Sequence, residues 1–383
     1  THKHISTSRF IFLGFLFTII LGGLILMLPF ASTGGQRTSL IDALFTATSA
    51  TCVTGLVVQD TATYWSGFGQ AVILFLIQIG GMGVITIAVL LTMLSGRKIS
   101  LRQRTLMQEA ISAPQMGGIV RLTGFIFKAI ILIELLGALC LFPVFYKEFG
   151  FFKGIWYALF HSISAFCNAG FDLMGIKEPF SSMTTMSGSV IVNIVLILLI
   201  VIGGLGFITW EDMKEHKFHL KKYSMQSKVI LFVTAVLIII SALYFYFCEF
   251  GRGEWKNMSQ ADKVMASFFT SITPRTAGFN TVDFSKLTGA GQLVMIMLML
   301  IGGAPGSTAG GMKVTTIAVI FAAAFAVFSK RQQTQLFKRR ISTDIIARAA
   351  TILLMYVFLF LLSAIAISTI EGLPITDVMF ETA

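Results

Sequence analysis

The chain has 383 residues, 55% of them hydrophobic and only 12% charged, with a mean hydropathy of +0.84; ordinary soluble domains carry about 25% charged residues, so that class is excluded. An aromatic content of 12%, with 36 Phe, 18 Met and only 7 Pro, excludes disordered, collagen-like and low-complexity chains. The net charge of +11 would point to nucleic acid in a soluble protein, but in a membrane protein basic residues mark cytoplasmic loops, so the bilayer is the expected partner and nucleic acid is not.

Apolar stretches of membrane-spanning length run over residues 10–30, 68–94, 122–146, 187–210, 227–250, 293–328 and 345–370, the sixth long and interrupted by glycine. The first is longer than a signal-peptide core and lacks a small-x-small site after it, so it reads as a span rather than a cleaved leader. Between the first and second, third and fourth, and fifth and sixth spans lie shorter apolar segments, 41–50, 154–166 and 261–272, of re-entrant length.

These short segments align with one another. Phe45, Phe160 and Phe268 each stand ten residues before a glycine, Gly55, Gly170 and Gly278, and each following span carries a Gly-Gly pair, at Gly80-Gly81, Gly203-Gly204 and Gly302-Gly303. Three shared features in one order define an internal repeat of span, pore helix, span. The repeats divide the chain at 1–96, 97–213 and 214–330, with 331–383 opening a fourth: Asp377 and Phe380 match Asp42 and Phe45, so the fourth glycine would fall beyond Ala383. The expected fold is an all-α polytopic membrane protein of four parallel repeats around a pseudo-four-fold pore, the fourth incomplete.

Basic residues test the topology independently. Lys3 and Arg9, Arg97 to Arg121, Lys214 to Lys228 and Lys330 to Arg348 all cluster on one expected side. By the positive-inside rule the N-terminus and the loops between repeats are cytoplasmic, and the short segments enter from outside.

Non-helical backbone survives at membrane depth only when buried in protein or lining a water-filled cavity. A short helix ending inside the membrane aims its partly negative C-terminal end at the centre, which favours a cation. The residues before the three glycines are Cys52-Val53-Thr54, Cys167-Asn168-Ala169 and Arg275-Thr276-Ala277. They share little as side chains, so the expected ligands are backbone carbonyls replacing the hydration shell of an ion. Glycine permits φ > 0 and close backbone approach; the competing reading is that these are packing glycines in tight helix contacts.

The motifs SATCVTGL, SAFCNAGF, TPRTAGFN, IQIGGMG, VIGGLGF and IGGAPGSTAGGMKV together resemble the Trk/Ktr/HKT superfamily of potassium and sodium translocating proteins, over essentially the whole chain. The sequence looks most like the membrane subunit of a bacterial Ktr-type potassium uptake system. The resemblance implies that Gly55, Gly170 and Gly278 help form a selectivity filter and favour potassium, with a sodium-selective or sodium-coupled transporter as the alternative. It also implies a homodimer in the plasma membrane and a cytosolic nucleotide-binding ring, through which any nucleotide would act; this chain itself needs no cofactor.

Gly302, Gly303, Ala304, Pro305, Gly306, Ser307, Thr308, Ala309, Gly310, Gly311 and Lys313 lie inside the sixth apolar stretch. Five glycines and a Pro cannot hold a continuous helix, so a broken span with a flexible loop is expected; by resemblance this loop is the gate to the cytoplasm. A phosphate-binding loop does not fit, because Met312 separates Gly311 from Lys313 and Val314 follows the Lys.

Lys313 is an intramembrane cation that either closes the loop or repels ions, or else caps carbonyls beside the kink. Arg275 either limits multi-ion occupancy or pairs near the outer mouth, Asp283 being the candidate. Lys128 reads as snorkelling, and Glu134 has no assigned role. His216 and His219, like His2 and His4, lack Cys or acidic companions at metal-ligand spacing and read as loop residues. His161, Ser162 and Cys167 sit in a repeated pore segment whose other copies lack them, which argues against a catalytic triad. The membrane segments contain no Asp, Glu or His relay, which disfavours a proton antiporter. An enzyme is not expected; a non-transporting membrane enzyme or receptor is the remote alternative.

Overall fold

The structure is a computed structural model that describes residues 7–94, 99–111 and 117–383. Lys3, Arg97 and Lys98 of the basic clusters, His2 and His4, and the first repeat boundary at 96/97 lie outside the described residues.

The described residues are almost entirely helical. In chain order they form α1 (Thr7–Leu26), α2 (Leu40–Cys52), α3 (Gly67–Met82), α4 (Val84–Leu94), α5 (Leu101–Ala110), α6 (Ile119–Phe149), α7 (Phe151–Phe166), α8 (Val190–Gly204), α9 (Phe207–His216), α10 (Met225–Tyr244), α11 (Gln260–Ile272), α12 (Gly289–Leu300), α13 (Val314–Phe328), α14 (Thr343–Glu371) and α15 (Ile375–Thr382). The expected pore helices are α2, α7 and α11. A two-residue-per-strand hairpin, Gln335–Leu336 paired with Arg339–Arg340, stands where the sequence suggested only loop.

Helix starts repeat with the sequence. Ser39 and Ser259 cap the first and third pore helices through the N–H groups of Asp42 and Asp262, both at 3.1 Å. Ser66, Ser189 and Thr288 cap α3, α8 and α12 in the same way. Each such cap satisfies one of the donors a helix leaves open at its start.

The spans differ from expectation in one respect. Only the sixth apolar stretch was expected to break, yet the second and fourth break too. The 68–94 stretch is interrupted at Gly83, where φ is +82°, and the 187–210 stretch at Gly206, where φ is +85°. A non-β-carbon residue is needed at both points because the chain turns through the left-handed half of φ space. Four helices, α1, α6, α14 and the α10 segment continued to Glu249, are each long and apolar enough to cross a membrane unaided.

The chain separates into two compact units. One comprises Thr1–Ile208 with Thr276–Val282 and Gly306–Ala309; the other comprises Thr209–Arg275, Asp283–Pro305 and Gly310–Ala383. In the first, α1 packs on α2, α6 on α7, and α7 on α8. In the second, α10 packs on α11 and α13, and α14 on α13 and α15.

Within the second unit, a buried carboxylate holds the start of α12. Glu249 ends a π-helical turn after α10; its Oε2 accepts from the Thr288 N–H at 3.1 Å and its Oε1 from the Thr288 hydroxyl at 2.5 Å. The same hydroxyl accepts from Gly291 N. Thr288→Val removes both hydroxyl bonds and is expected to lower stability by about 1–3 kcal/mol, read as a fall in the thermal unfolding midpoint in detergent. Gly67→Ala, where a β-carbon meets only open space, is expected to leave the midpoint unchanged.

Candidate functional site

Each pore helix ends in the same unusual turn. Val53, Asn168 and Thr276, two residues before the three glycines, have φ of +60°, +57° and +60°. Gly55, Gly170 and Gly278 have φ of +79°, +72° and +78°, while Thr54, Ala169 and Ala277 between them keep negative φ. Left-handed geometry is costly for β-branched residues such as Val53 and Thr276 and persists only where surrounding structure imposes it. In an extended strand successive carbonyls point to opposite sides; alternating the sign of φ turns them towards one side. Three segments of unrelated side chains thus share one backbone conformation, as carbonyl coordination requires.

The turns also meet one another. A β-carbon on Gly55 would lie 2.7 Å from the carbonyl oxygen of Ala169, and one on Gly170 would lie 2.8 Å from that of Ala277 and 2.9 Å from the Cα of Gly278. The turns at Gly55, Gly170 and Gly278 therefore stand in contact in chain order, and no larger residue fits between them without displacing backbone.

In the first two turns a backbone donor is returned to the preceding helix. Thr54 N donates to Ser49 O at 2.9 Å, and Ala169 N to Ser164 O at 2.8 Å. The Ser164 hydroxyl donates to Phe171 O at 2.6 Å, and Asn280 N donates to the Ser182 hydroxyl at 3.0 Å. His161 is fully used: Nδ1 lies 2.7 Å from Tyr157 O, an acceptor, so it carries the proton, and Nε2 accepts from Leu173 N at 3.1 Å. The ring stacks on Phe145 at a centroid distance of 5.1 Å. It is a neutral clamp fastening the segment after Gly170 to its pore helix, which leaves no lone pair for a base or a metal.

The glycine pairs have a packing reason. A β-carbon on Gly80 would collide with the carbonyl of Thr51, and one on Gly203 with that of Phe166. Thr51 and Phe166 both stand four residues before their filter glycine, so each glycine pair lets the following helix press against the C-terminal carbonyls of its pore helix.

The 302–313 stretch is unwound, as its composition indicated. At its base Gly302 N donates to Met312 O at 2.9 Å and Val314 N to Gly303 O at 3.1 Å, pinching the loop closed. Lys313 Nζ donates to Gly310 O at 3.3 Å, which matches the carbonyl-capping alternative. Around the tip, Phe207 N donates to Gly306 O at 2.7 Å and Thr308 N to Gly203 O at 3.2 Å. The Thr308 hydroxyl donates to Phe166 O at 2.9 Å and lies 3.3 Å from Asn168 Oδ1. Sequence reasoning did not single out Thr308 within the loop, since nothing along the chain brings it near residue 166.

Arg275 is buried. Asp283 Oδ1 accepts from the backbone and hydroxyl of Ser285, at 3.0 and 2.6 Å, and that hydroxyl is the first cause holding this carboxyl below the usual carboxylate range. Among the described residues no group of three His, Cys, Asp or Glu side chains is placed to hold a metal ion.

The sequence pattern of the TrkH family, described as a cation transport protein, matches residues 17–383. The chain belongs to the TrkH family. It is 39% identical to the potassium/sodium uptake protein NtpJ of Enterococcus hirae, over 98% of this chain and 82% of that protein. It is 40% identical to the Ktr system potassium uptake protein B of Bacillus subtilis, over 97% and 82% of the two chains, and 34% identical to the protein of the same name from Vibrio alginolyticus, over 98% and 81%. The crystal structure of the potassium transporter TrkH from Vibrio parahaemolyticus superposes with a TM-score of 0.69, covering 96% of this chain and 73% of that one at 18% identity. The TrkH fold is thus shared, and the chain is a multi-pass membrane protein of a cation transport family.

Gly170→Ala places a methyl group against the Ala277 carbonyl on a left-handed backbone. It is expected to cut cation flux at least tenfold in reconstituted liposomes, whereas Gly67→Ala leaves flux unchanged.

Proposed function

We propose that this chain is the ion-translocating subunit of a potassium uptake system in a bacterial cell membrane. Dehydrated potassium ions pass through rings of backbone carbonyls from residues 52–55, 167–170 and 275–278. The observation that carries this reading is the stacking of three left-handed turns, glycine against carbonyl, at the C-terminal ends of three short helices. Such ends carry partial negative charge and donate no protons, so they favour a cation, and carbonyls at close quarters can replace its hydration shell. The names of the relatives, potassium uptake or potassium/sodium uptake proteins, support the same ion. Sodium-selective or sodium-coupled transport is the second reading, favoured by the name of the Enterococcus hirae relative. Catalysis forms no part of the proposal.

The proposal extends to the repeats and their orientation. The chain carries three span, pore-helix, span repeats and the start of a fourth, divided near 96, 213 and 330, with the N-terminus in the cytoplasm, in keeping with the basic clusters. The subunit works as a homodimer with a cytosolic nucleotide-binding ring, in keeping with relatives named as parts of a Ktr system; nucleotide acts only through that ring.

The 302–313 loop is the gate. Its closed form is supported by the Thr308 hydroxyl on the Phe166 carbonyl, a bond that ties the loop tip to the end of the second pore helix. Opening requires that bond and the Thr308 N to Gly203 O bond to break.

Two experiments test these assignments. In liposomes loaded with the purified protein, rubidium uptake is expected to be inhibited by potassium far better than by sodium, and Gly55→Ser is expected to relax that preference; indifference to Gly55→Ser would remove the filter assignment. Thr308→Val, which keeps the shape and deletes the hydroxyl, is expected to raise uptake about 3- to 10-fold, the equivalent of one net hydrogen bond. Unchanged or lower uptake by a correctly inserted Thr308→Val protein would count against the gate.

A further inference from the structure

Glu134 stands in the middle of α6, a 31-residue apolar helix, and is 5% exposed. A carboxyl group at such a position is unfavourable in a membrane and persists when it serves a purpose. The corresponding helices α1, Thr7–Leu26, and α10, Met225–Tyr244, contain no Asp or Glu.

Its partners come from three elements. Glu134 Oε2 accepts from Gln78 Nε2, on α3, at 3.3 Å. Cys167 Sγ lies 3.9 Å from Glu134 Oε1 and 3.9 Å from Gln78 Oε1, so the thiol faces both side chains. The Ser162 hydroxyl, on α7, donates to the backbone carbonyl of Glu134 at 2.6 Å. Two glycines allow the approach: a β-carbon on Gly81 would lie 2.6 Å from Cys167 Sγ, and one on Gly137 would overlap the Ser162 hydroxyl.

Cys167 is the first of the four residues leading to Gly170 and is fully buried. It directly precedes the left-handed Asn168. The group holding its side chain therefore fixes where that turn begins.

We infer that Glu134, with Gln78, is a positioning residue for the second filter segment: a buried hydrogen-bonded brace behind Cys167 that sets the depth and pitch of the 167–170 carbonyls and so tunes ion discrimination. This rests on the filter reading above. The brace acts through hydrogen-bond geometry, because Gln could make the same contacts to Gln78 and to the thiol. It also acts on one filter segment alone, giving the pore a built-in asymmetry that its repeated backbone lacks.

The test is rubidium uptake by the full chain in liposomes, with potassium and sodium as competitors, giving KM, maximal rate and the potassium-to-sodium preference. Glu134→Leu is expected to raise KM about tenfold and to narrow the preference by a similar factor, the effect of leaving one buried hydrogen-bonding partner unsatisfied, at a maximal rate per inserted protein within about threefold. Glu134→Gln is expected to keep all three close to the parent. Gln78→Leu, on a separate and half-exposed site, is expected to shift KM and preference in the same direction, so the test stands even if Glu134→Leu fails to insert. Gly170→Ser is the control for the underlying reading: ion handling unchanged there would overturn the filter itself. Altered handling in Gly170→Ser with parental KM and preference in Gln78→Leu or inserted Glu134→Leu would overturn the brace alone. Glu134→Gln as impaired as Glu134→Leu would overturn it too, since charge rather than hydrogen-bond geometry would then be at work.

Discussion

A peptide group buried at membrane depth must find its partner inside the protein, and the rest of this structure depends on how three non-helical turns meet that constraint. In the first two, an N–H group is returned to the helix it follows, from Thr54 to Ser49 and from Ala169 to Ser164. That disposes of those donors and leaves carbonyls, the group a dehydrated cation needs. The left-handed conformation at Val53, Asn168 and Thr276 is what turns those carbonyls, and it is held by packing from neighbouring turns rather than by local preference.

That packing propagates outwards. Each filter turn needs the end of its pore helix held in place, and the Gly80 and Gly203 contacts bring the following helix directly against that end. Helices pressed so closely do not continue straight through; the first two break at Gly83 and Gly206, and the third unwinds over 302–313. A break thus follows each of the three short helices, a single turn in the first two and a loop in the third, where Gly302 lies against Gly310 and Gly311 of the loop itself. Thr308 ends up on the Phe166 carbonyl, so the loop and the second filter segment share a hydrogen-bonding group.

Side-chain support is uneven around this common backbone. The second segment has His161 bridging Tyr157 to Leu173, Ser164 bridging to Phe171, and the Gln78, Glu134 and Cys167 cluster behind it. The first has the smaller Ser49 and Thr54 hydroxyl pair. Repeated backbone with unrepeated bracing is what a repetitive chain can acquire once the backbone geometry is set, since substitutions behind a turn leave its peptide groups chemically the same.

Much of this was legible along the chain. Apolar length marks spans because lipid offers no hydrogen bonds, and the ten-residue Phe to Gly register marks a repeat; each is a local property that no distant residue can alter. The unwinding at 302–313 was equally local, given its glycines and Pro305. What sequence could not supply was proximity. The breaks at Gly83 and Gly206 look like ordinary glycines in apolar runs, and only a pore-helix carbonyl pressed on the neighbouring turn makes them breaks. Glu134 was an unexplained carboxyl six residues from Lys128 until Gln78 and Cys167, 56 and 33 residues away, were brought to it. The sequence by itself determined which segments are apolar and long enough to span, where a common pattern recurs, and that the 302–313 stretch cannot stay helical. Tertiary structure alone decided which carbonyls and side chains the turns meet, because contact between residues far apart in the chain is set by packing and leaves no spacing to read.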